Sequence, residues 1–136
     1  MEILMKTIHW LRLWSAAVGA MDTLTGVMLV FFPALTLGLI GVVPPPPESL
    51  VLVSWIGVFV TGVGMSYGMA LGNPVRGAAV WGVTGLVRAL VAAFLAIKIL
   101  SGALPHAWLT VALTDGVVAA AQFATLRMGW WKGDGT

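Results

Sequence analysis

Cysteine is absent from the 136 residues. Its absence excludes disulfides, thiolate metal ligands and haem attachment through a C-x-x-C-H motif. Charge is also scarce, with Asp, Glu, Lys and Arg at 9% of the chain. An ordinary globular protein carries about 25%, because its outside must face water. No basic run with interleaved aromatics occurs, so nucleic acid is not an expected partner. The sequence contains no nucleophile–base pair, no metal-spaced carboxylates and no phosphate-binding glycine loop. No catalytic residues, no metal ligands and no enzyme activity are therefore expected.

What fills the chain is hydrocarbon. Apolar residues make up 60% of it, and the mean hydropathy is +1.01. Helices that are hydrophobic all round belong in lipid. The expected fold is a single all-α transmembrane domain over 1–136, an integral membrane four-helix up-down bundle. Four spans fit, at about 11–32, 49–71, 77–101 and 105–127. Between the first two, residues 33–48 are a proline-rich outer loop in which Pro44–Pro47 is stiffened as polyproline II. A short interfacial helix or packed loop is expected at about 35–41, after Pro33 ends the first span. Lys6 and Arg12 precede an apolar stretch, and residues 18–20 loosely resemble a cleavage site. The hydrophobic run continues to Phe32, so the expectation is an uncleaved first helix.

The net charge of +2 reads as topology. Lys6, Arg12, Arg76, Arg127 and Lys132 fall on one side of a four-span arrangement, and Lys98 alone on the other. The positive-inside rule then puts both termini in the cytoplasm, N-in and C-in, of a multi-pass protein in a bacterial inner membrane. Trp10, Trp14, Trp81, Trp130 and Trp131 fall near the inner interface, Trp55 and Trp108 near the outer one. His9 and His106 lie at opposite surfaces and cannot share a metal. Either one alone could ligate a pigment or haem, although an interfacial histidine is ordinarily just solvated.

Small residues recur at helical spacing. Gly57, Gly64, Gly68 and Gly72 line the second span, Gly85 the third and Gly116 the fourth. In lipid, close backbone approach is what holds helices together. These glycines either pack one bundle internally or dock a partner or second copy.

Three ionisable residues stand out: Asp22, Arg88 and Asp115, each near the middle of an apolar span. One charge at that depth costs about 2.5–3.5 kcal/mol on insertion scales, so three must compensate one another. Their places along the helices put them within a few ångströms in depth. Arginine suits the centre of such a group, because its fork can serve two carboxylates. Fully ionised, the group keeps one unbalanced negative charge. That calls for a shared proton or a close donor, with Thr84, Gln122 and Tyr67 as candidates and Thr61 as a further polar residue turned inward. The plain reading is a structural salt bridge between the first, third and fourth spans. The alternatives are a proton or ion site in a carrier and a pocket for the head of a quinone or lipid.

The layout from Asp22 onward resembles the DoxX-like superfamily of small four-helix membrane proteins. The similarity rests on Gly26 with Pro33 closing the first helix, the glycine-rich stretch 57–72, Arg88 in the third helix, and Asp115 with Gln122 in the fourth. The resemblance implies the up-down bundle and a loose link to quinone-linked membrane redox systems. The Pro44–Pro47 run departs from it, which gives the outer loop room for a partner of its own. The expected role is a non-catalytic accessory or assembly subunit of a larger respiratory or photosynthetic membrane complex. Its partners would be the lipid bilayer and other membrane subunits, or a homodimer. No cofactor is required, although a bound quinone, lipid or pigment fits the rival reading of a small carrier or quinone/lipid-binding protein.

Overall fold

The computed structural model describes residues 2–132, which are helical almost throughout, with no strand among them. Four helical segments are long and apolar enough to cross a membrane: Met5–Phe31, Pro47–Leu71, Pro74–Leu100 and His106–Arg127.

Helix α1 (Glu2–Phe31) begins well before the expected boundary at residue 11. No glycine or proline interrupts residues 2–18, and Lys6 pairs with Glu2 one turn back at 2.8 Å, so nothing stops the helix from extending. Phe32 leaves helical geometry (φ −134°, ψ 54°), and Pro33 opens the short helix α2 (Pro33–Leu39) at its first turn, where proline lacks no needed hydrogen bond. Gly41 closes α2 with a positive φ of 78°. The proline run then leads into α3 (Pro47–Ser66), which continues as a 3-10 turn over Tyr67–Leu71. Asn73 caps α4 (Pro74–Leu100) by accepting from the Val75 amide at 2.8 Å. A 3-10 turn at His106–Trp108 opens α5 (Leu109–Arg127), and Gly129, at φ +70°, turns the chain back after it.

The helices pair in two hairpins. α1 packs along α3, α4 packs along α5, and the Tyr67–Leu71 turn touches both α1 and α4. The α1–α3 seam is built from backbone. Gly19, Thr23 and Gly26 of α1 have the same spacing as Gly57, Thr61 and Gly64 of α3, and the two triplets run antiparallel. A methyl group added at Gly19 would stand 2.8 Å from the Gly64 carbonyl oxygen, and one at Gly57 would stand 2.7 Å from that of Gly26. Both threonines turn their hydroxyls onto their own helix, Thr23 to Gly19 O at 2.7 Å and Thr61 to Gly57 O at 2.8 Å. No hydroxyl is left unpaired in the seam.

Gly68 and Gly72 meet open space, so they do not continue this packing within the bundle, which leaves only the docking alternative for them. The cause is the 3-10 turn, whose tighter winding of about three residues per turn carries Gly68 off the line set by Gly57 and Gly64. Gly85 sits against Phe123 and Gln122, and Gly116 near Ala92, so both belong to the α4–α5 seam. Trp81 and Trp131 also depart from expectation. They are not interfacial anchors but buried core residues, set edge-to-face with ring centroids 5.4 Å apart, and Trp131 lies over Gly77.

Candidate functional site

Where the two hairpins meet, side chains rather than backbones make the contact. α1 approaches α4 and α5 at no more than isolated backbone positions, so long side chains must bridge the gap. Arg88 does so from the middle of α4. Its two terminal nitrogens form ion pairs with Asp22 on α1 and Asp115 on α5. The arginine side chain is 5% exposed, and the two carboxylates keep 11% and 16% of their surface. The guanidinium thus joins three of the four membrane-length segments.

The fourth segment contributes through Tyr67, which the 3-10 turn swings into the interior. Arg88 Nε donates to Tyr67 Oη at 3.3 Å, and Tyr67 Oη donates to Gln122 Oε1 at 3.3 Å. Gln122 Nε2 donates to Thr84 Oγ1 at 2.9 Å, and Thr84 donates to the Val80 carbonyl at 2.7 Å. Every bond points the same way, away from the guanidinium. The Gln122 amide orientation follows from this order: the Thr84 hydroxyl spends its hydrogen on Val80 and can only accept from the glutamine. The chain of bonds ends on a backbone carbonyl.

One turn from Thr84, Trp81 Nε1 donates to Ser15 Oγ at 2.8 Å, and Ser15 passes its own hydrogen to Leu11 O at 2.8 Å. This pair is a second polar tie between α1 and α4. The sequence shows Ser15 in line with Asp22, and Trp81 in line with Arg88, but not that the two residues meet.

Of the residues singled out in the sequence, the fold brings together Asp22, Arg88, Asp115, Tyr67, Thr84 and Gln122. Thr61 stands apart in the α1–α3 seam. His9 and His106 are exposed at opposite ends of the bundle, and the described residues contain no group of histidine, aspartate and glutamate able to hold a metal ion. Sequence reasoning missed Gly19 and the pairing of Gly26 with Gly57. The signal was present in the matching Gly-x-x-x-Thr-x-x-Gly spacing of the first two spans.

Chemically, the cluster is a fixed charge network. A glutamine amide holds its protons and does not hand them on, so the Tyr67–Gln122–Thr84 chain orients groups but offers no proton path. Comparison with protein-family models, with curated proteins and with solved structures gives no match.

Proposed function

We propose that the chain is a non-catalytic accessory or assembly subunit of a larger membrane complex, respiratory or photosynthetic, in a bacterial cytoplasmic membrane. The observation that carries this reading is the engagement of the central polar groups with one another. Arg88 is held by two carboxylates and a phenol, and the hydrogen-bond chain beyond it terminates on backbone. Such a network fixes helices and leaves little free chemistry. Membership of the DoxX-like superfamily is part of the same proposal and would carry the up-down arrangement with it.

The reading is tested by purifying the tagged chain from its native membrane in mild detergent. Stoichiometric recovery of larger membrane subunits supports it, and recovery of the chain alone overturns it. Both termini are proposed to be cytoplasmic. The absence of cysteine makes that directly measurable, because single cysteines introduced at Asn73 and Ala103 give labelling without background. Asn73 should react only from the inner side and Ala103 only from the outer side.

One observation favours a second reading, that of a small carrier or quinone/lipid-binding protein. Two carboxylates share one guanidinium, which leaves a net negative charge, and neither carboxylate is fully enclosed. Transport in liposomes that disappears with Asp22→Asn or Asp115→Asn would select it.

A further inference from the structure

The two hairpins are joined to each other at one end of the bundle only. The chain passes from α3 to α4 through Gly72 and Asn73, just after the Tyr67–Leu71 turn. At the opposite end, which carries α2 and the His106–Trp108 turn, each connection stays within its own hairpin. Side chains follow the same division. The buried cluster that includes Leu11, Val18, Tyr67, Trp81 and Val118 draws on both hairpins, and it lies on the Gly72 side of Asp22, Arg88 and Asp115. Beyond those charges the buried cluster is Leu95, Ile99 and Ala112, supplied by α4 and α5 alone. Leu37 is buried at that end too, but on α2, which packs along α1 and α3 of its own hairpin.

Hydrogen bonds divide in the same way. Among the described residues, those between hairpins run from Trp81 to Ser15, from Tyr67 to Gln122, and from Arg88 to Asp22 and Tyr67. None lies beyond the charge cluster. At the far surface Gly41 comes up to the His106–Trp108 turn, where an added methyl would stand 3.9 Å from Ala107 Cβ. That is ordinary van der Waals contact, and the Gly41 amide is already spent on the Gly38 carbonyl at 3.0 Å.

We propose that the α2 ends of the two hairpins spread and close about the core at the Gly72 end, with the Arg88–Asp22 ion pair as the last restraint before the gap. In lipid, apolar helix faces gain little by meeting each other in place of acyl chains, so nothing hydrophobic draws the far halves together. The covalent link, the shared core and the polar ties do hold, and all of them stand at the Gly72 end or at the cluster. The lever beyond them is long. Leu100 lies about 18 Å beyond Arg88 at the helical rise, so a rotation of about 10° moves it by about 3 Å. Spreading of this kind uncovers Asp22 and Asp115 toward the α2 end alone.

The inference rests on the membrane placement of the helices and needs neither the accessory role nor the orientation in the bilayer. The sequence lacks cysteine, so cysteine pairs introduced at exposed positions carry spin labels without background. The full-length protein is placed in nanodiscs, and distances are read by double electron–electron resonance. Across the hairpins, Val51 with Leu100 reports the α2 end, and Leu13 with Ala124 the Gly72 end. The expected result is one narrow distance at the Gly72 end and a distribution wider by about 3 Å or more at the α2 end. Val51 with Met65 and Val83 with Leu100, each pair within one helix, should be as narrow as the pair at the Gly72 end. The neutral combination Asp22→Leu, Arg88→Met, Asp115→Leu removes the restraint and should widen the α2 end further while the Gly72 end keeps its width. Should that combination not fold, Asp22→Asn, which weakens the same ion pair, must widen the α2 end. Equal widths at the two ends, broadening that appears equally within single helices, or an α2 end unchanged when the ion pair is removed or weakened would each overturn the proposal.

Discussion

Replacing Arg88 with methionine should be among the most damaging single changes in the membrane-spanning part of this protein. The side chain is 5% exposed and donates to Asp22, Asp115 and Tyr67. Methionine keeps much of the length and removes all three donations, which leaves two carboxylates facing each other without a counter-charge. Breaking a buried ion pair from one side costs about 3–5 kcal/mol, mainly because the orphaned charge cannot regain water. At about 1.4 kcal/mol per factor of ten, the ratio of folded to unfolded protein falls by roughly two to four powers of ten. Arg88→Lys keeps the charge but offers an ammonium that cannot span two carboxylates and a phenol. It should lose about 2–3 kcal/mol, the worth of roughly one or two charge-assisted hydrogen bonds. The combined variant Asp22→Leu, Arg88→Met, Asp115→Leu removes every charge together and should be as stable as wild type or more so. Unfolding in mixed micelles with rising dodecyl sulfate, followed by circular dichroism, measures all three. A loss below about 1 kcal/mol for Arg88→Met would refute the pinning role, since such a loss is the worth of an exposed pair. A combined variant no better than Arg88→Met would show that uncompensated charge is not the source of the loss.

Other perturbations follow from the same geometry. Gly57→Leu should destabilise by at least about 1–3 kcal/mol, the usual range for overpacking, because the new side chain meets the Gly26 carbonyl and α1 must retreat; the same melts measure it. Gly62→Ala, at a helical position with open space, should instead stabilise by about 0.5–1 kcal/mol. Gln122→Leu strips Tyr67 of its acceptor and Thr84 of its donor and should cost about 1–3 kcal/mol, and Tyr67→Phe in that background should add to the loss, because Arg88 Nε then has no acceptor. Trp81→Phe breaks the tie to Ser15, with an expected loss of about 1 kcal/mol and a change in the near-ultraviolet circular dichroism from the Trp81–Trp131 pair.

Four apolar segments could be read from the sequence because lipid demands all-round hydrophobicity and about 20 residues per span, and few other structures satisfy both. The order Asp22, Arg88, Asp115 was legible for a related reason: charges are so costly at depth that they must find one another. The start of α1 was not legible, because hydropathy marks where lipid begins and not where a helix does. Nor was the fate of Gly68 and Gly72. Their i, i+4 spacing presumes an unbroken α-helix, and the change to 3-10 winding at Tyr67 depends on what that ring reaches across the bundle. Trp131 was misplaced for the same physical reason, whereas the inward direction of Trp81 was legible from the face it shares with Thr84 and Arg88. A tryptophan near a span end is an amphipathic ring that suits an interface, and only the tertiary partner, here Gly77, reveals that Trp131 faces inward.

The two kinds of seam divide the work of specifying the fold. Within a hairpin, glycine lets two backbones touch, and the contact is strong but local to α1 and α3. Between hairpins α1 stands apart from α4 and α5, with close approach only at the Tyr67–Leu71 turn, and the surfaces that meet lipid are as apolar as the lipid itself. Sliding or rotating one hairpin against the other would therefore exchange hydrocarbon for hydrocarbon at little cost. The cluster removes that freedom. A shift of one helical turn, about 5.4 Å, would carry Arg88 out of reach of Asp22 and Tyr67 together, while Asp115, on the same hairpin, moves with it. One guanidinium with three acceptors on three different segments can be satisfied in only one register. The charges are thus better understood as setting the relative position of the hairpins than as adding net stability, and the combined variant should accordingly keep its stability but lose a single well-ordered arrangement.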